Sequence, residues 1–126
     1  MHQNENKIPV YFLPGLAANP SIFKNIQLDP DRFEIYLLEW MIPFEEESIS
    51  EYALRFCSKV EHKNAVLVGV SFGGIIAQEM NLVHDFRKII IISSVKTRQE
   101  LPLHLQLAGK TKVYKLVPTS LFAQNI

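Results

Sequence analysis

Ala65-Val66-Leu67-Val68-Gly69-Val70-Ser71-Phe72-Gly73-Gly74-Ile75-Ile76-Ala77 is the stretch whose reading decides the fold. Residues 65–70 form a near-continuous apolar run, the composition of a strand buried on both faces. From Phe72 to Val83 the pattern becomes that of a helix, apolar nearly all round and therefore well buried. Ser71 alone separates the two. So sharp a turn forces Ser71 into strained backbone geometry. Gly69 and Gly73, two residues before and two after it, keep the backbone from clashing across the turn. The serine oxygen then stands exposed at the end of the strand. The N–H of Phe72 faces the same spot at the helix N-terminus, where it can stabilise a developing negative charge.

Working outward, short apolar runs alternate with helical patterns. Ile8 to Leu13 reads as a first strand ended by Pro14-Gly15, Phe33 to Trp40 as a second, residues 65–70 being the third, and Lys88 to Val95 as a fourth, with Ile89 to Ile92 uninterrupted. Ser48 and Glu51 have Ser-x-x-Glu spacing, a capping box. Behind it Ile49, Ala53, Phe56, Cys57 and Val60 follow a helical stripe, so Cys57 reads as a small core residue. Ser21 to Leu28 predicts a short helix. Beyond Ser94, Leu101 to Leu107 and Val113 to Val117 fit helices better than strands, with Pro102 in a first turn and Gly109 as a stop. Strands alternating with helices imply a mostly parallel α/β sheet with helices on both faces. Ligand sites in such sheets lie beyond the carboxyl ends of the strands.

Composition narrows the function. The chain has 126 residues, 48% hydrophobic, which suits one domain, residues 1–126. Thirteen basic residues balance 13 acidic ones, without the basic footprint of nucleic-acid binding. One cysteine excludes an internal disulfide and fits a reducing compartment. The N-terminus lacks the basic start and apolar stretch of a secretory signal. No apolar run approaches the ~18–20 residues that span a bilayer. A cytoplasmic protein without a membrane span is the expectation.

Gly69-Val70-Ser71-Phe72-Gly73 is a G-x-S-x-G motif in strand-to-helix context, and Phe12-Leu13-Pro14-Gly15-Leu16-Ala17-Ala18 is a second turn directly after the first strand. With these two elements the chain resembles the α/β-hydrolase superfamily over about Ile8 to Val95. The resemblance implies a nucleophile elbow at Ser71 and an oxyanion hole built from the N–H groups of Phe72 and Leu16. Pro14 stands where the family often has histidine. It also implies that the four strands are the family's third to sixth, in spatial order second, first, third, fourth, with the first two absent. A plain reading stands beside it: a tight strand–helix turn with a structural serine and an ordinary Pro-Gly turn. A dinucleotide fingerprint would need glycine where Ser71 stands.

A serine hydroxyl needs a base. In this family the acid and then the histidine follow the nucleophile. The stretch 72–126 offers His84 and Asp85, at the far end of the elbow helix, and Glu100 and His104, which follow the fourth strand. His62 precedes the third strand, and His2 lies at the N-terminus. All read better as surface residues than as triad members. Ile89 to Ile92 would form an apolar sheet edge, a pairing hazard. It is covered by the C-terminal segment, by a second copy of the chain, or by further sequence if this is the front part of a longer hydrolase, the reading favoured here. Glu45-Glu46-Glu47 is a solvated run, and no residues have metal-ligand spacing. Neither metal nor cofactor is expected.

Two functions follow. One is a serine hydrolase of esters, thioesters or similar small acyl substrates, with Ser71 attacking and Leu16 and Phe72 N–H groups holding the oxyanion. The other is a non-catalytic hydrolase-fold binding module. Phe12, Leu16, Ile22, Phe23, Trp40 and Phe44 are candidates for an acyl pocket. Trp40 and Phe44, just past the second strand, are the best placed.

Overall fold

A computed structural model of the protein describes residues 6–15, 20–92 and 94. Four strands, β1 (Ile8–Leu13), β2 (Phe33–Leu37), β3 (Val66–Val70) and β4 (Lys88–Ile92), form one parallel sheet in the order β2-β1-β3-β4. Both the class and the strand order are those the sequence implied. Helix α1 (Ile49–Cys57) connects β2 to β3, and α2 (Phe72–Asn81) connects β3 to β4. Parallel neighbours require such crossovers.

Side chains alternate across the sheet, and each face has its own core. Tyr11, Leu13 and Leu67 face one side, where both α-helices pack. Tyr52 and Phe56 of α1 and Ile76 and Met80 of α2 are fully buried there. Val10, Phe12 and Val68 face the other side, covered by Phe23 from a 3₁₀ helix at Pro20–Phe23. The rings of Phe12 and Phe23 meet at 4.8 Å. Helices thus cover both faces, the two α-helices one and the 3₁₀ helix the other. Of the helix expected at Ser21 to Leu28 only the first three residues are regular, within the 3₁₀ helix Pro20–Phe23. Bonds from Lys24 N–H to Ser21 C=O and from Ile26 N–H to Phe23 C=O close three-residue turns instead of α-turns.

Strand β2 ends where non-local contacts take over, and helix α2 ends in a local turn. Strand β2 stops at Leu37. Leu38 N–H still donates to Phe12 C=O at 2.8 Å, and the chain then turns so that Trp40 and Met41 meet α1. Helix α2 ends at Asn81, where Val83 and His84 N–H both turn back to Met80 C=O. Strand β4 departs from the expectation of burial on both faces. It pairs only with β3 among the described residues, and Ile90 and Ile92 are 40% and 42% exposed. An edge strand with one neighbour cannot be shielded like a central one. The expected helices at 101–107 and 113–117 lie outside the described residues.

The Ser48/Glu51 capping box is present in both directions. Glu51 N–H donates to Ser48 Oγ and Ser48 N–H to Glu51 Oε2, each at 3.1 Å. Such a cap stabilises a helix by about 1 kcal/mol. The acidic run before it is not wholly solvated. Glu47 is buried and paired with Arg55 at 2.7 Å, while Arg55 also lies 3.8 Å over the Phe44 ring. Cys57 is half-buried with Sγ 3.7 Å from Met80 C=O, and burial pushes its thiol pKa up. No helix among the described residues is long and apolar enough to cross a membrane.

Candidate active site

Ser71 sits between β3 and α2 with φ 56° and ψ −123°, and its side chain is exposed. This backbone region is sparsely populated for residues with a Cβ and costs about 1–3 kcal/mol. The surroundings hold it there. Ser71 N–H donates to Ile92 C=O and its own C=O accepts from Gly74 N–H, both at 2.9 Å. The hydroxyl does not cap the helix.

The flanking glycines are required by contact. A Cβ on Gly69 would stand 2.7 Å from Gly73 C and 2.8 Å from Gly74 Cα. A Cβ on Gly73 would stand 2.5 Å from the carbonyl oxygens of Leu13 and Pro14, so the start of α2 rests against the end of β1. One on Gly74 would meet Ile91 Cγ2 and Ser94 Oγ at 2.5 Å. Helix α2 therefore begins wedged between the carboxyl ends of β1 and β4, where each side chain forgone brings backbone closer. Two glycines in a first turn cost about 1 kcal/mol each in helix propensity, so packing overrides propensity.

Phe72 opens α2, and its N–H is among the first four of the helix, which have no intrahelical acceptor. The turn after β1 comes to the same place. A Cβ on Gly15 would lie 3.3 Å from Ser71 Cβ and 3.8 Å from Ser71 Oγ. Leu16, the other expected oxyanion donor, lies outside the described residues.

An aromatic block supports this corner. Trp40 Nε1–H donates to Pro14 C=O at 3.1 Å. The Trp40 ring stacks on Phe72 (centroids 5.8 Å, planes 20° apart) and on Tyr52 (5.6 Å, 21°). Tyr52 is wholly buried, and burial pushes its phenol pKa well up. Sequence reading placed Trp40 as a pocket wall and missed its bond to Pro14. The signal was present, since a half-buried indole N–H at a strand's carboxyl end needs an acceptor. Of the other pocket candidates, Phe12 and Phe23 are core, while Ile22 and Phe44 are 48% and 62% exposed.

No hydrogen bond joins Ser71 Oγ to a histidine or carboxylate among the described residues. His62 lies in the connection leading into β3, the opposite end of that strand from Ser71. There its Nδ1 is 2.7 Å from Tyr11 Oη. His84 and Asp85 follow α2, and the His84 ring packs on Phe86 at 4.5 Å. At 1.5 Å per residue the ten residues of α2 put them about 15 Å from Ser71. His2, Glu100 and His104 lie outside the described residues. A cleft of about 380 Å³ beside β2, lined by Tyr11, Tyr36, Leu37, Leu38, Glu39, Lys59 and Glu61, does not include the elbow. Among the described residues no group of three or more His, Cys, Asp or Glu side chains could hold a metal ion.

No family model matches the chain, and no curated protein matches it. A similar solved structure is that of Est816, an N-acyl homoserine lactone degrading enzyme, at 25% identity and a TM-score of 0.57. The match covers 82% of this chain and 45% of the other, so this chain spans less than half the length of its neighbour.

Proposed function

We propose that this chain carries the nucleophile of a serine hydrolase of the α/β-hydrolase type. The observation behind this reading is the strained, exposed Ser71 (φ 56°), held between Gly69 and Gly73 at a parallel strand's carboxyl end with Gly15 against it. The likeness to a lactone-degrading enzyme supports a hydrolase, and it adds lactones to esters and thioesters as substrates. In the reaction Ser71 Oγ bonds to the acyl carbon while its proton passes to a base. The N–H groups of Phe72 and Leu16 hold the oxyanion. The C–O or C–S bond breaks, its leaving group takes up the proton, and water then releases the acyl group from Ser71. A lactone's leaving oxygen stays tethered to its acyl chain. The base and its supporting acid come from outside the described residues. Hydrolysis of p-nitrophenyl acetate and of a simple acyl lactone by the wild-type chain and by Ser71→Ala tests this. Turnover that survives the substitution overturns it.

A second reading, a binding module with an unused elbow, is favoured by the lack of a histidine near Ser71 among the described residues. It assigns the half-exposed Ile90 and Ile92 of β4 to pairing with a second copy. It predicts a dimer in sedimentation equilibrium that Ile90→Lys dissociates. A clean monomer contradicts it.

A further inference from the structure

We propose that Trp40 is a positioning residue that holds Phe72, the first residue of α2, and the Pro14–Gly15 peptide against Ser71. The inference rests on reading Ser71 as the nucleophile. Trp40 stands past the end of β2, separated in sequence from both turns it touches. Its indole N–H holds the Pro14 carbonyl at 3.1 Å, and that carbonyl belongs to the peptide plane shared with Gly15. A peptide unit is planar, so holding its oxygen restrains its orientation where Gly15 lies against Ser71. The same oxygen lies close to the start of α2, since a Cβ on Gly73 would stand 2.5 Å away. The Pro14 carbonyl is therefore held by the indole donor and crowded by the α2 backbone.

Phe72, whose N–H is an oxyanion donor in that reading, lies stacked on Trp40, with planes 20° apart. The Trp40 ring is held in turn by Tyr52, which also stacks on it, and by Phe56, which meets it edge-on at 5.9 Å. The backbone beside Trp40 is clamped too. Tyr52 Oη donates to Met41 C=O at 2.6 Å and accepts from Met41 N–H at 3.1 Å. A single rigid block thus runs from α1 through Trp40 to the turn after β1 and the first residue of α2. Packing alone would need only a large flat ring. The bond to Pro14 needs the N–H, which phenylalanine lacks.

Trp40→Phe separates the two roles, because it keeps the stack and removes the donor. The test is the rate at which a fluorophosphonate modifies Ser71 in the full chain, measured beside kcat and KM for p-nitrophenyl butyrate. Phosphonylation, like acyl transfer, builds negative charge on an oxygen at the oxyanion site. The variant should react about tenfold more slowly, lose a similar factor in kcat, and keep KM within about twofold. Equal rates in wild type and Trp40→Phe overturn the positioning role. A wild-type chain that does not react overturns the hydrolase reading itself, and the inference falls with it. Trp40 is the sole tryptophan, so its indole N–H gives one NMR resonance in the wild-type chain. Should the variant not fold, that resonance carries the test. It should move when Ser71 is phosphonylated, and a resonance left in place contradicts the proposal.

Discussion

Ser71 adopts a backbone conformation that a residue with a Cβ holds only under constraint (φ 56°, ψ −123°), and its hydroxyl gives nothing back as a helix cap. The strain can be measured by substitution. Ser71→Gly relieves it and Ser71→Ala does not, while both remove the hydroxyl. The glycine variant should therefore be the more stable of the two, by about 1 kcal/mol in urea unfolding, after allowing for the chain entropy glycine adds to the unfolded state. Equal stability would mean that the turn is relaxed. This position was legible in the sequence, because a strand and a helix separated by one serine between small residues leave few other geometries. Trp40 was half legible. Its place at the carboxyl edge followed from the apolar run before it. Its acceptor is 26 residues away, and no local pattern reports a bond of that span.

At the scale of elements, the close approach of α2 to β1 positions Ser71. Gly73→Ala puts a methyl group 2.5 Å from two carbonyl oxygens of β1 and its turn. It should cost about 2 kcal/mol or more, against the stabilisation that Gly→Ala brings to an unencumbered helix. Thermal unfolding checks the sign. Helix α1 makes a pH-dependent contribution through Tyr52, whose buried phenol has its pKa raised above the ordinary 10. The folded state holds this proton more tightly than the unfolded chain. Its stabilising effect is therefore complete below about pH 10 and is lost as pH rises towards the folded value. Unfolding midpoints followed from pH 8 to 11 should fall above pH 10, and Tyr52→Phe should flatten that fall while lowering the plateau through lost bonds to Met41. Strand and helix cores were readable because burial imposes periods of two and 3.6. Which face each helix takes was not, because an apolar stripe looks the same against either side of a sheet. The end of β2 was not readable for a related reason: Met41 is tied to Tyr52, 11 residues further along the chain.

At the scale of the whole molecule, a four-stranded parallel sheet places every notable feature at one edge, the carboxyl ends of its strands. Ser71 follows β3, the Pro14-Gly15 turn follows β1 and Trp40 follows β2, so three connections meet there. The strand order was readable because alternating elements and a resemblance with known topology agreed. Among the described residues His62 lies at the opposite end of β3 from Ser71 and His84 lies beyond α2, while Glu100 and His104 fall outside them. That Ser71 is a nucleophile is tested most directly by treating the native 126-residue chain with a fluorophosphonate and locating the adduct by peptide mass. One adduct is expected, on Ser71, absent after Ser71→Ala and after unfolding in urea. An unmodified native chain, or an adduct on another residue with Ser71 untouched, would contradict it.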